Sequence, residues 1–180
     1  FFKSYLDDSK VVLEYGCGGS TLEYSKLVKK YISIENVERW YNQINKSTSD
    51  NTFMYLESPK ESSDEDLEKN AESLLSGRYF DRLTMSGYNP SWNETSSSLN
   101  HTDRRDRHEW HTLINYVNKP IKLIDEYGKF DIVLVDGVAR EFCAYRAKDL
   151  IKDDGLIFFH DFKRTQYHGV LNFYEIVEQV

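Results

Sequence analysis

The sequence is short of three things, and each shortage removes a class of protein. It has only two cysteines, Cys17 and Cys143. Two thiols make no disulfide framework, and Cys17 falls inside a glycine cluster. Both read as reduced thiols, and the expected location is cytoplasmic. No apolar run approaches the roughly 18 residues that a membrane-spanning helix needs, and no leader-like segment is visible, so no membrane is expected as a partner. Positive charge is also scarce: 23 Lys and Arg face 30 Asp and Glu, giving a formal net charge of -7. Binding to a phosphate backbone needs a basic footprint, so nucleic acid is not an expected partner either. The short run Arg104, Arg105 and Arg107 reads as a solvated loop. Three Asn-X-Ser/Thr triplets, at Asn45, Asn93 and Asn100, read as chance in Asn- and Ser-rich stretches.

What is present is a globular composition, 39% hydrophobic and 29% charged, in 180 residues, enough for one domain with a real core. Short apolar runs ending in Gly or acidic residues mark five strands: Val11–Tyr15, Tyr31–Glu35, Thr52–Leu56, Phe130–Asp136 and Gly155–His160. Helical patterns fall between them, at Thr21–Lys30 with Ser20 as its N-cap and Leu22 and Leu27 inward, and at Val37–Ile44. A further helix is expected over Arg140–Ile151, leaving through an Asp153-Asp154-Gly155 turn, and a last one from Gly169 onward. Strands alternating with helices predict βαβ units and a parallel sheet, an α/β doubly wound fold. The runs Ile132–Val135 and Leu156–Phe159 are continuously apolar, as parallel strands covered on both faces must be.

Residues 60–129 break this rhythm and read as an insertion or lid within a single domain. Its first part, Glu61–Leu75, is acidic and patterned as a helix. The stretch 77–107 has no clear period, and a helix is expected from His108 to about Val117. A structureless stretch of that length is uncommon, and is usually a lid, a binding loop or a mobile segment. It holds Tyr79, Phe80, Tyr88, Trp92, His108, Trp110 and His111. Aromatic rings suit the faces of sugars, although each ring taken singly reads as local packing. His108 and His111 stand at a helical spacing that a metal pair could use, with no third ligand in view.

The strongest motif is Glu14-Tyr-Gly-Cys-Gly-Gly-Ser-Thr21. A glycine-rich turn between a strand and a helix lets a ligand approach the backbone closely. Glu35 ends the next strand, where a carboxylate can accept hydrogen bonds from both hydroxyls of a ribose. Two ligand classes use this geometry. Dinucleotides bring a pyrophosphate, but Thr21 stands where their third glycine would be, and Glu14, Asp136 and Asp161 make the strand ends acidic. S-adenosylmethionine brings a sulfonium and an ammonium, which carboxylates favour. On sign of charge the methyl donor is preferred to NAD. Without a ligand, the motif would mark only a Rossmann-like fold, and Glu35 a solvated strand end.

The sequence resembles the class I S-adenosylmethionine-dependent methyltransferases over its whole length apart from the insertion. Val11–Ser20 is similar to their first motif, Glu35 to their ribose-binding acid, Phe130–Gly137 to their fourth motif, and Gly155–Phe162 to their fifth strand. The run Asp136-Gly-Val-Ala-Arg140, with His160-Asp161 and Tyr167, is similar to small-substrate and sugar O-methyltransferases. The narrower resemblance is to methyltransferase domains of multidomain glycan-synthesis proteins of chloroviruses, which would place the chain in a host cytoplasm beside other domains of a larger polypeptide. The family usually adds two strands after the fifth, and the sequence leaves these unaccounted for. The resemblance implies donor contacts at Glu14, Gly16, Cys17, Gly18, Gly19, Ser20, Glu35, Asn36 and Asp136, with S-adenosylhomocysteine as product. It implies methyl transfer to a sugar hydroxyl of a glycan, rhamnose among the candidates. The alternative is a metal-dependent O-methyltransferase of small phenols or catechols. A binding module that keeps the fold without catalysis is a third reading.

Strand order in such a sheet reverses between the first and fourth strands, and ligands sit in the crevice at their carboxyl ends. Asp136 and His160-Asp161 end neighbouring strands there. A sugar hydroxyl is a poor nucleophile and must lose its proton as it attacks. Either His160 or Asp136 serves as general base, or Asp136 and Asp161 hold Mg2+ or Mn2+, which lowers the hydroxyl's pKa. Arg140, Arg164, Tyr167 and His168 are candidate acceptor contacts. Plainer roles exist for each: His160 bonding to a nearby backbone group, Asp136 capping the next helix, the other four being surface residues.

Overall fold

The computed structural model describes residues 1–60 and 113–180. Five strands, β1 (Val11–Tyr15), β2 (Lys30–Glu35), β3 (Thr52–Leu56), β4 (Phe130–Val135) and β5 (Ile151–Phe159), form one sheet in the order β3-β2-β1-β4-β5. All four neighbouring pairs are parallel. Helices α1 (Gly19–Tyr24), α2 (Glu38–Asn45), α3 (Ile114–Asn118), α4 (Ile124–Tyr127) and α5 (Arg140–Leu150) connect them. This is the doubly wound, Rossmann-like α/β fold that the alternating pattern predicts, with a strand order similar to that of class I methyltransferases. Among the described residues no strand follows β5, and no helix is long and apolar enough to cross a membrane.

The core lies on both faces of the sheet, which is why Val11–Leu13 of β1 and Ile132–Val135 of β4 are continuously apolar. On one face Leu13, Tyr15, Ile32, Ile34, Val133 and Val135 pack with Tyr116 and Val117 of α3 and with Cys143, Ala144, Ala147 and Leu150 of α5. On the other, Val12, Tyr31 and Ile132 pack with Val28, Tyr24, Leu27 and the N-terminal Phe2 and Tyr5. Val12, Leu13, Ile32 and Ile34 are wholly buried, each contributing about 1.5–3 kcal/mol of hydrophobic transfer before entropy is counted. Alanines at 144 and 147 let α5 approach the sheet closely.

Four local expectations are corrected. The first helix ends at Tyr24 rather than Lys30, continuing only as a 3-10 turn over Ser25–Leu27. Its inward residues are Thr21, Ser25 and Val28, with Leu22 and Leu27 half-buried. Ser20 is not its N-cap; Gly18 holds that position. Asp153-Asp154-Gly155 is not an exit turn either. The chain passes from Leu150 straight into β5, and those residues bulge from the ladder between the pairs Phe130↔Ile151 and Ile132↔Leu156. The bulge is held by Lys152 Nζ, 2.7 Å from Asp131 Oδ1, while Asp131 Oδ2 accepts from the Val11 amide at 2.8 Å. Gly155 is required there, because a Cβ would strike Ile151 and lie 3.0 Å from Asp131 O.

The last correction concerns the expected helix from Gly169. A 3-10 segment runs over Thr165–Asn172, and no regular element follows. Val170, Ile176, Val177 and Val180 are β-branched and weak helix formers. Tyr174 Oη also donates to Ala144 O at 2.5 Å, tying the segment to α5. Of the 60–129 insertion, only its end is described: α3, a 3-10 stretch Lys119–Leu123, and α4. The acidic helix 61–75, the loop 77–107 with its aromatics, and the pair His108 and His111 lie outside the described residues.

Candidate functional site

The glycine loop after β1 is fixed from below. Gly16 N–H donates to Ile34 O at 2.8 Å, and its carbonyl accepts from Ser33 Oγ at 2.7 Å. Its φ of +106° is open to glycine and strained for other residues. A Cβ on Gly16 would sit 3.1 Å from Gly137 Cα, and one on Gly137 would lie 3.0 Å from Gly16 N and collide with Tyr116 Oη. The loops after β1 and β4 thus touch backbone to backbone at the point where the strand order reverses. Among the described residues nothing lies within 4 Å of a Cβ added at Gly18 or Gly19.

Glu14 does not line the opening. It is 1% exposed, and both carboxylate oxygens turn under α1, one accepting from Ser20 Oγ and the other from Thr21 Oγ1 at 2.5 Å. Burial pushes its carboxyl up to about 7, against the pull of the Ser20 and Thr21 hydroxyls. Ser20 is therefore spent on Glu14. Thr21, at the place of a third glycine, also accepts from Gly18 N–H at 3.0 Å. Tyr31, on the same face of the sheet, brings a buried hydroxyl with no good hydrogen bond next to Glu14.

Glu35 ends β2 as expected and is 5% exposed. One of its oxygens, Oε1, accepts from the amides of Asn36 at 2.8 Å and Val37 at 2.7 Å, which fixes the carboxylate's orientation. Cys17 is half-buried against it. Burial, with Glu35's charge behind it, pushes the thiol's pKa well up, so Cys17 is a neutral wall of the loop and no nucleophile.

The crest of β4 and β5 is a network of charges. Asp136 follows β4, and its amide donates to Tyr15 O at 3.1 Å. His160 follows β5, its amide donating to Val135 O at 3.0 Å. These backbone bonds bring the two side chains together: His160 Nδ1 is 2.8 Å from Asp136 Oδ1. In a neutral imidazole this contact would place the proton on Nδ1 and leave the lone pair on Nε2. The imidazole is 60% exposed, and Asp136 34%. Asp161, at φ +61°, brings Oδ1 to 3.7 Å from the same Nδ1.

Arg140 Nη2 lies 3.3 Å from Asp136 Oδ1, and Nη1 lies 2.9 Å from Asp161 Oδ2. The hydrogen bond from Arg140 draws the Asp161 carboxyl below its ordinary pKa. Arg164 Nη2 adds a second contact to Asp161 Oδ2, at 3.0 Å. Two carboxylates are thus matched by two guanidiniums, and the crest is not the negative surface that its acids alone predict.

The four candidate acceptor contacts divide. Tyr167 is 6% exposed, its ring tilted against Phe159 at 5.1 Å, with the Arg140 guanidinium 5.7 Å over it. Arg140 and Tyr167 are therefore interior supports. Arg164 and His168 are exposed, His168 Nε2 standing 3.1 Å from Phe162 O. Sequence reasoning missed the supporting roles of Gly137, Ser33 and Tyr116. Ser33, a lone polar residue inside the apolar run of β2, was the available signal for one of them. No family model, curated protein or solved structure matches the chain.

Proposed function

We propose that the chain is an S-adenosylmethionine-dependent O-methyltransferase acting on a hydroxyl acceptor, with the sugar hydroxyl of a glycan as the favoured class. The observation that carries this reading is the 2.8 Å contact between His160 Nδ1 and Asp136 Oδ1, set beside a glycine loop where no described residue lies within 4 Å of a Cβ added at Gly18 or Gly19. Glu35 and the Gly16–Gly19 loop would hold the donor, whose sulfonium supplies an electrophilic methyl group. Glu35 is oriented by the Asn36 and Val37 amides to meet ribose hydroxyls, and Cys17 walls the loop as a neutral thiol.

On the acceptor side the chain's own groups do the proton work. Asp136 holds the Nδ1–H of His160, which leaves Nε2 as the base that takes the hydroxyl proton as attack proceeds. Asp136 thereby orients the base instead of serving as one. A sugar hydroxyl needs this help more than a phenol, because its pKa is several units higher. Exposed Arg164 and His168 stand at the rim, where an acceptor would first meet the protein.

Incubation with isotope-labelled donor, a glycan panel and catechol tests the reading, alongside calorimetry with S-adenosylhomocysteine. The expected result is label in a glycan and product binding that Glu35→Ala weakens about tenfold, as for loss of a charged hydrogen-bonding group. Label in catechol alone would move the acceptor to the phenol class. Absence of both binding and transfer would end the proposal.

A further inference from the structure

We propose that Arg140 is the resident cation of the acceptor site: its guanidinium fills the gap between Asp136 and Asp161 where a divalent ion would have to sit, and so positions Asp136 and, through it, His160. This rests on the methyl-transfer reading for its catalytic meaning, but the occupancy of the gap stands on geometry alone.

Arg140 offers five N–H donors, and five contacts are present. Nε donates to Gly137 O at 2.9 Å. Nη1 donates to His160 O at 3.1 Å and to Asp161 Oδ2 at 2.9 Å. Nη2 donates to Asp136 O at 3.2 Å and to Asp136 Oδ1 at 3.3 Å. The acceptors belong to two separate loops, one after β4 and one after β5, so a single planar group staples both crests. The side chain is only 14% exposed, with Tyr167 beneath it.

A hard divalent ion needs oxygens at about 2.0–2.6 Å and several of them. Here Asp136 Oδ1 is shared by His160 and Arg140, and Asp161 Oδ2 by Arg140 and Arg164. An added dication would face one guanidinium in the gap and a second beside it. Among the described residues no group of three His, Cys, Asp or Glu side chains could hold a metal. The residues present therefore do not fit the ion that two strand-end carboxylates first suggest. Arg140 is a positioning residue. All five of its bonds go to the loops after β4 and β5, and lysine could not replace it, because a compact ammonium lacks the planar fork that spans both loops.

The test uses three readouts. Paramagnetic titration with Mn2+ should find no tight site in the wild-type chain and a new one in Arg140→Ala, abolished by adding Asp161→Asn. Long-range 1H–15N spectra should show His160 as the Nδ1–H tautomer in the wild type, shifting toward Nε2–H in Arg140→Ala and Arg140→Lys. With the labelled donor, Arg140→Ala should lose about a hundredfold in kcat, the scale of a misplaced catalytic group, with acceptor KM moved under about threefold. A stoichiometric Mn2+ site in the wild type that Asp136→Asn removes would overturn the proposal. So would an unchanged tautomer in a folded variant, or a loss confined to KM, which would make Arg140 an acceptor contact. The first two readouts need no activity, so they stand even if methyl transfer fails.

Discussion

The glycine loop after β1 and the charged crest of β4 and β5 stand side by side, yet they are held in opposite ways. The glycine loop is fixed by backbone: Gly16 bonds Ile34 and Ser33, and its acid, Glu14, is withdrawn beneath α1. The crest is fixed by side chains, through Asp136, Arg140, His160, Asp161 and Arg164, much of it open to water. Backbone support keeps a shape whatever the solvent does. Side-chain support can be retuned by one substitution.

That contrast can be broken from either side. The largest effect is expected at the crest. Asp136→Asn keeps the size of the side chain but offers His160 Nδ1 a donor as readily as an acceptor. Turnover should fall about a thousandfold, equivalent to ~4 kcal/mol of barrier, while product affinity and melting temperature change little. Equal turnover in the variant would detach the chemistry from this pair.

Next comes the backbone contact. Gly137→Ala drives a methyl group into Tyr116 Oη and against Gly16 N, and should cost about 3 kcal/mol of stability by urea denaturation, as overpacking does. Gly18→Ala, with no described residue within 4 Å of the added Cβ, should cost under about 1 kcal/mol. If the two glycines proved equally tolerant, the loops would not be in contact as described.

The smallest effect is a pH dependence. Burial raises the Glu14 carboxyl from its ordinary 4.5 to about 7 in the folded chain. The folded chain therefore binds this proton more tightly than the unfolded chain. The contribution is fully present below about 4.5 and is lost as pH rises to 7. Its scale is at most on the order of 3 kcal/mol, from roughly 1.4 kcal/mol per pKa unit. Glu14→Gln should lack this decline, so urea midpoints measured at pH 5 and pH 7.5 should converge for the variant and separate for the wild type. Parallel profiles would mean that Glu14 is solvated.

Much of this architecture was readable in advance, for physical reasons. β1, β2 and β4 are buried along nearly their whole length and the edge strand β3 is half-buried, so all four carry short, mainly apolar runs and were found within a residue of their ends. Gly16 was legible because a tight strand-to-helix turn leaves few alternatives. The start of β5 was hidden, because Asp153-Asp154-Gly155 reads as a turn until Asp131 and Lys152 are seen to hold a bulge. At the crest the residue types were legible but their pairing was not. Asp136 and His160 meet because β4 and β5 run parallel and keep step from Ile132↔Leu156 to Val135↔Phe159, and nothing local tells Arg140 to turn toward Asp161. Glu14's inward turn was equally invisible, since it depends on the Ser20 and Thr21 hydroxyls of the next helix.

The meeting of Gly16 with Gly137 has one more consequence. With no side chain between them, the two loops have no cushion. A ligand that lifted the first loop by a few tenths of an ångström would press directly on the chain next to Asp136. Filling one half of the crevice would thereby adjust the aim of the other half, a mechanical linkage made from two hydrogen atoms where any other residue would place a methyl group.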